Sequence, residues 1–326
     1  MPIKKAELHT HLEGTISPDL FQKLSLRNQL PIPENLISTD GQSYCYNDFL
    51  HFLKVYDAVA DSIKHPRDYY DVTFDYLKSN ALEGTIYIEM MYSPDHAEMT
   101  SGIPSHEHLV AIQQAIDDAN KQFNILGRII ITAVRHFGEE ASIHVAEHGI
   151  KAKADFASVV GFGLGGDEFN FPPKLFKKAY EIAANGGLQC TVHAGEHAPA
   201  TGMIEAMDYL PIQRIGHGVN AVHSQETIAR LKDKNIALEV CPSSNISLGL
   251  FKDLSSHPLH RLLQEGLSIS INSDDPPFFR TNLANEYQVT QKTFGYTDEE
   301  MTQFTRMAIN AAFVDEATKN ELRSRL

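Results

Sequence analysis

The chain has 326 residues, with 28 basic and 42 acidic side chains and a formal charge of −14. That length holds one large domain, and an α/β barrel needs roughly 250 residues. An acidic surface repels phosphate backbones, which sets nucleic acid aside as a partner and leaves a nucleoside or free base, neither carrying phosphate, open.

The opening, "MPIKKAELHTH", has two lysines but no apolar core behind them, so no signal peptide is expected. No stretch reaches the ~20 apolar residues of a membrane span. The three cysteines, Cys45, Cys190 and Cys241, are scattered without a CxxC pair. A soluble, cytoplasmic protein that does not meet a membrane is the expectation.

In chain order, the first expected strand is "KAELHTH". Ser17 and Pro18 read as a helix start, with serine as cap and proline at the first helical position. Phe49, Phe52, Leu53 and Tyr56 fall at i, i+3, i+4 and i+7, one apolar face of a second helix. A third helix is predicted from about His65 to Leu82, with Gly84 as its stop. Seven further strands follow: "GTIYIEMMYSP", "GRIIITAVR", "SVVGFGLGGDE", "LQCTVHAGE", "QRIGHG", "IALEVCPSSN" and "LSISINSDDP". Helical stretches such as "PKLFKKAYEIAANGG" and "SQETIARLKDKN" separate them, and in "TDEEMTQFTRMAINAAF" Thr297 and Glu300 have capping-box spacing.

Eight strands alternating with helices predict a parallel α/β protein, read as a single (β/α)8 TIM barrel over 1–326. The helical insertion at 17–82, after the first strand, is expected to cover the barrel mouth as a lid. No linker or low-complexity stretch divides the chain.

The chemistry-bearing residues fall at the carboxyl ends of these strands, where a barrel gathers its active site. His9 and His11 sit two apart and share a strand face. The fifth strand adds His193 and Glu196, the sixth His217, the eighth Asp274 and Asp275. Three imidazoles and a carboxylate suit zinc or another borderline first-row ion. Glu196 and His217 are left as acid and base candidates for metal-assisted hydrolysis. Lys151 and Lys153 precede the fourth strand, at its wrong end for bridging two ions, so one metal per chain is expected.

"ELHTHLEGT", "GLGGDE", "TVHAGE", "RIGHGV", "CPSSN" and "NSDDP" occur in the order found in the adenosine/adenine deaminase family of metal-dependent hydrolases, which the chain resembles from residue 4 to about 315. The resemblance implies one Zn2+ held by His9, His11, His193 and Asp274. It implies that His217 orients and deprotonates the nucleophilic water and that Glu196 protonates purine N1. Asp275 would contact N7, and the Gly166 backbone would donate to N3. "FLKVYD", with Phe52, Leu53 and Tyr56, resembles the family's apolar lid. Adenosine, with 2′-deoxyadenosine, is the first expected substrate, because "LGGDE" and "IGHG" resemble the nucleoside branch. Glu13 stands where classical adenosine deaminases carry a ribose-contacting aspartate, so free adenine or a 5′-modified adenosine such as aminodeoxyfutalosine is the alternative. A polynucleotide deaminase of the HxE…PCxxC type is excluded, since no PCxxC occurs. Oligomeric state is not readable from the sequence.

Overall fold

The structure is a computed structural model and describes residues 3–326, leaving out the side chains of Phe49 and Leu50. Eight parallel strands are hydrogen-bonded in the order of the chain. They are β1 (Lys5–Glu7), β2 (Thr85–Tyr92), β3 (Leu126–Val134), β4 (Val159–Gly165), β5 (Gln189–Ala194), β6 (Arg214–His217), β7 (Ala237–Val240) and β8 (Ile269–Ile271). β2 is buried along its whole length, as expected of a strand covered on both faces, and its apolar run marks it in the sequence. Each strand is followed by at least one helix, and the ring of strands makes a (β/α)8 barrel.

The last seam of the ring, between β8 and β1, is made differently from the others. No strand ladder joins the two; Leu8 N–H instead donates to the Asn272 side chain (2.8 Å). Beyond it, His11 N–H donates to the Asp274 carbonyl (3.1 Å) and Asp274 N–H to the His9 carbonyl (3.3 Å). On the other side Met91 N–H donates to Thr10 O (2.7 Å). "KAELHTH" is therefore not one continuous strand. β1 stops at Glu7, and His9 and His11 lie past its end on backbone that ties β2 to the segment after β8.

Between β1 and β2 run α1 (Pro18–Arg27), α2 (Phe49–Ala60) and α3 (Pro66–Leu82). The Ser17 side chain accepts from Leu20 N–H and Pro18 opens α1, as its sequence predicts. Asp48 caps α2 in the same way. Phe49, first in the expected apolar face, has its side chain outside the described residues. The remaining helices are α4 (Pro94–Ser101), α5 (Ser105–Phe123), α6 (Gly138–Asp155), α7 (Lys177–Asn185), α8 (Ala200–Tyr209), α9 (Gln225–Asp233), α10 (Pro242–Ser247), α11 (Leu259–Gln264), α12 (Leu283–Phe294), α13 (Asp298–Ala311) and α14 (Glu316–Ser324). The segment "PKLFKKAYEIAANGG" begins with a 3₁₀ turn, Pro173–Phe176, before α7. Thr297 and Glu300 form the predicted capping box of α13. Lys151 and Lys153 lie near the end of α6, ahead of β4, and Lys153 Nζ bonds the Gly187 carbonyl there. Among the described residues no helix is long and apolar enough to cross a membrane.

Candidate active site and metal centre

The carboxyl ends of the strands bring His9, His11, His193, Glu196, His217, Asp274 and Asp275 to one pocket region, as their positions in the sequence predict. Nitrogens of His9, His11 and His193 lie within 4.8 Å of one another, and ligand atoms of His11, Asp274 and Asp275 converge in the same way. Asp274 Oδ1 stands 3.5 Å from His9 Nε2 and 3.4 Å from His11 Nε2.

Hydrogen bonds behind the rings decide which nitrogens face inward. His9 Nδ1 lies 2.9 Å from Glu239 Oε2. A buried carboxylate draws the ring proton to that nitrogen, so Nε2 presents its lone pair. His9 Nε2 is buried and has no hydrogen-bond partner, the mark of a position that needs a cation. His193 Nδ1 lies 3.0 Å from the Leu164 carbonyl, which also leaves its Nε2 as an acceptor. Burial, with the surrounding imidazoles, pushes His193 well below the usual histidine range and keeps it neutral. Three imidazoles and one carboxylate converging on one point fit a borderline first-row ion.

Glu239 belongs to a buried chain of charges inside the barrel. Its Oε1 accepts from Thr191 Oγ1 (3.0 Å) and from Arg214 Nε. Arg214 Nη2 donates to Glu89 Oε2 (2.6 Å), and the guanidinium lies 3.4 Å from the centre of the Phe313 ring. Gly216 pairs in register with His193 on β5 and Glu239 on β7. A Cβ there would stand 2.7 Å from His9 Cε1, so the glycine of "IGHG" is the floor under the His9 ring. A Cβ at Gly14 would likewise collide with Asp275 Oδ1.

The two acid candidates are both shifted upward. Burial, then the charges of Asp274 and Glu168, pushes Glu196 well above the usual carboxylate range. Burial, then the adjacent Asp274, pushes Asp275 up to about 8. Both shifts favour the protonated form, in which a carboxyl can donate. Asp275 Oδ1 is buried without a partner and Asp275 lines the pocket. Glu196 Oε2 is 3.6 Å from His217 Nε2. His217 and Asp274 both adopt left-handed backbone, with φ of 57° and 64°. Left-handed backbone is costly for residues other than glycine and is typical of functional positions.

Gly166, Glu13, Phe52, Leu53 and Tyr56 all line the same pocket. Gly166 has φ +100°, which exposes its backbone at a turn a side chain would disfavour. Glu13 is buried and accepts from the Tyr69 hydroxyl (2.8 Å). Phe52 stacks on Phe279 (ring centres 5.4 Å apart), and Tyr56 packs on Phe278 at 5.7 Å. α2 thus rests on the loop that follows Asp275. Leu53 is 40% exposed and meets the pocket only at its rim.

Four residues that place this site were not singled out from the sequence. Glu239 is an acidic residue inside the apolar run "IALEVC", a signal of a buried charge. Glu168, in "GLGGDE", accepts from the backbone N–H of Gly195 (2.8 Å) and Glu196 (3.3 Å) and so holds the loop carrying Glu196. Ser244 and Asn245, in "CPSSN", bond Asp274 Oδ2 (2.7 Å) and His217 Nδ1 (3.2 Å).

Comparison with known proteins places this geometry. An adenine deaminase of Rhizobium leguminosarum bv. trifolii is 41% identical over 99% of both chains, and one of Sinorhizobium medicae is 39% identical over 98% of this chain and 97% of its own. Among solved structures, an adenine deaminase from Arthrobacter aurescens superposes with a TM-score of 0.92 at 30% identity, covering 100% of this chain and 98% of its own. An amidohydrolase from Burkholderia ambifaria, solved with bound zinc, gives 0.89 at 29% identity over 99% and 89%. The family model described as adenosine deaminase matches residues 4–326, and the chain belongs to that family of metal-dependent hydrolytic deaminases.

Proposed function

We propose that the protein deaminates free adenine hydrolytically at C6, giving hypoxanthine and ammonia. The observation that carries the reaction is the pair of buried carboxyls, Glu196 and Asp275, both shifted toward their protonated forms, beside the His/Asp cluster in one pocket. Amide, ester or phosphoester hydrolysis needs no acid poised for a ring nitrogen. A purine offers N1 and N7 to two such acids.

His9, His11, His193 and Asp274 would hold one Zn2+. When bound, it supplies the Lewis acidity that makes water nucleophilic near neutral pH. Glu196 gives its proton to N1, which draws electrons from C6 and opens it to addition. Asp275, protonated, donates to N7, and the Gly166 N–H donates to N3. His217 orients the attacking water. The water oxygen bonds to C6 and the C6–N bond breaks. Of the two water protons, one leaves with the amino group as ammonia and the other returns to Glu196, while the proton Glu196 gave stays on N1. Phe52, Leu53 and Tyr56 of α2 exclude bulk water from the ring.

Free adenine takes precedence over adenosine on two grounds. The relatives matched over nearly their whole length are named adenine deaminases. Glu13 is one methylene longer than the ribose-contacting aspartate of classical adenosine deaminases and is held by Tyr69 in the pocket wall. This reverses the substrate order expected from "LGGDE" and "IGHG". Gly166 serves the base and Gly216 makes room for His9, so neither motif reports on the sugar. A cytoplasmic home and a small-molecule purine as the sole partner belong to the same proposal.

The test is loss of ultraviolet absorbance of the 6-aminopurine with zinc-loaded enzyme, for adenine, adenosine, 2′-deoxyadenosine and a 5′-substituted adenosine side by side. Adenine should have the highest kcat/KM. A faster nucleoside refutes the substrate, and no reaction with any of them refutes the deaminase assignment.

A further inference from the structure

His257 is buried and takes no part in the chemistry above. It sits just before α11 and touches the site through one residue. Its Nδ1 lies 3.1 Å from the backbone nitrogen of Leu259. A backbone N–H can only donate, so this ring nitrogen accepts. Burial pushes the ring down to about 3, so it is neutral and its proton resides on Nε2. That nitrogen faces Asn245 Oδ1 at 3.1 Å and donates to it. The Asn245 amide is therefore fixed with its oxygen toward His257 and its nitrogen toward His217 Nδ1, at 3.2 Å. An amide nitrogen also only donates.

We propose that Asn245 and His257 are positioning residues that set the tautomer of His217, leaving His217 Nδ1 an acceptor and turning an Nε2–H into the pocket. The whole relay runs Leu259 N–H to His257, His257 to Asn245, Asn245 to His217. Each link is buried, and its direction follows from the obligate donor at its start. His217 Nε2 faces Glu196 Oε2 at 3.6 Å and Asp274 Oδ2 at 3.9 Å, too far for a direct hydrogen bond. A general base needs a lone pair at that nitrogen; this tautomer offers a donor instead. His217 then holds the oxygen of the attacking water by hydrogen bonding, and the expectation that it takes the water's proton is replaced. The motif "CPSSN" gains a role: Ser244 fixes Asp274 and Asn245 fixes His217.

The effect on turnover rests on the deaminase reading, whereas the tautomer does not, so the test has two readouts. The first is long-range 15N–1H correlation on zinc-loaded enzyme with 15N-labelled histidine, the His217 signals being assigned by their loss in His217→Gln. Pyrrole-type Nε2 and pyridine-type Nδ1 are expected, and Asn245→Asp, whose carboxylate accepts from Nδ1–H, should exchange the two. The second is kinetics with adenine. Asn245→Asp should lower kcat about 10–100-fold, the range for residues that orient active imidazoles, with KM little changed. His257→Gln, whose amide can accept from Leu259 and donate to Asn245, should keep near-normal kcat, and His257→Leu should not. A protonated Nδ1 in the wild-type spectrum overturns the proposal, as does an unchanged His217 tautomer in Asn245→Asp. If Asn245→Asp does not fold, the wild-type spectrum and the Gln–Leu contrast at position 257 decide alone. If no substrate turns over, the spectrum still decides.

Discussion

Replacing Glu239 by glutamine separates the metal site from the barrel core that supports it. Glu239 Oε2 receives the His9 Nδ1–H, and Oε1 receives Arg214 Nε and Thr191. A glutamine has one acceptor oxygen. The Arg214 cation draws that oxygen to its own side, which turns the amide nitrogen toward His9. Two donors cannot face each other, so the His9 proton moves to Nε2 and removes the inward lone pair. Losing such an outer partner costs about 10–100-fold in metal affinity, or about 1.4–2.7 kcal/mol. Arg214 keeps Glu89, so the stability loss falls near the lower end of the ~3–5 kcal/mol for breaking a buried pair. At ~2.1 cal/mol/K per residue, a 326-residue chain has an unfolding entropy of about 0.7 kcal/mol/K. The metal-free Tm should then fall by about 4 °C. Chelator competition measures the zinc affinity and scanning fluorimetry the Tm. Glu89→Gln is the control: it also removes one anionic partner of Arg214 but leaves the acceptor of His9 in place. A zinc affinity within about twofold of wild type in Glu239→Gln, or an equal loss in both variants, would refute the assignment of Glu239 to His9.

Other expectations test the pocket residues themselves. Glu196→Gln should bind zinc normally and lose about 10²–10⁴ in kcat, as metal content and turnover of adenine will show. Because burial raises the Glu196 pKa and the proton is what it contributes, wild-type kcat/KM should fall as pH rises through that raised value. The residual rate of the glutamine variant should lack this alkaline limb. Asp274→Ala should weaken zinc binding together with activity, and tight stoichiometric zinc in that variant would remove Asp274 from the ligand set. Gly216→Ala drives a methyl into the His9 ring and should cost about 1–3 kcal/mol of stability with a loss of zinc affinity, both readable in one metal titration followed by thermal melting.

The strands were legible because a parallel barrel strand is buried on both faces and reads as a β-branched, apolar run. β2 and β3 need nothing else. Helix starts were legible where capping is local, as at Ser17 and at Thr297 with Glu300. The site residues were legible because each stands next to a strand end that periodicity alone marks. What escaped is non-local. The run "KAELHTH" alternates like a strand to its end, yet the Asn272 side chain takes the Leu8 N–H and the ladder stops. The pairing of Glu239 with His9 spans 230 positions and that of Arg214 with Glu89 spans 125. No period or spacing in one chain encodes which buried carboxylate meets which cation. Asn245 and Ser244 could be quoted as a motif, but their partners lie 28 and 30 positions away.

The seam that closes the barrel and the proposed metal site use the same backbone. His9 and His11 exchange hydrogen bonds with Asp274 through the main chain, and their side chains converge with its carboxylate on the inner face. A seam made by three proposed ligands carries their unmet demands as well: a buried His9 Nε2 without a hydrogen-bond partner, and left-handed backbone at Asp274. Such backbone costs about 1–3 kcal/mol. A cation bound at about a thousand times its dissociation constant returns about 4 kcal/mol to the folded state. The two quantities are of one size, so a cation at the proposed site would offset the backbone cost at Asp274.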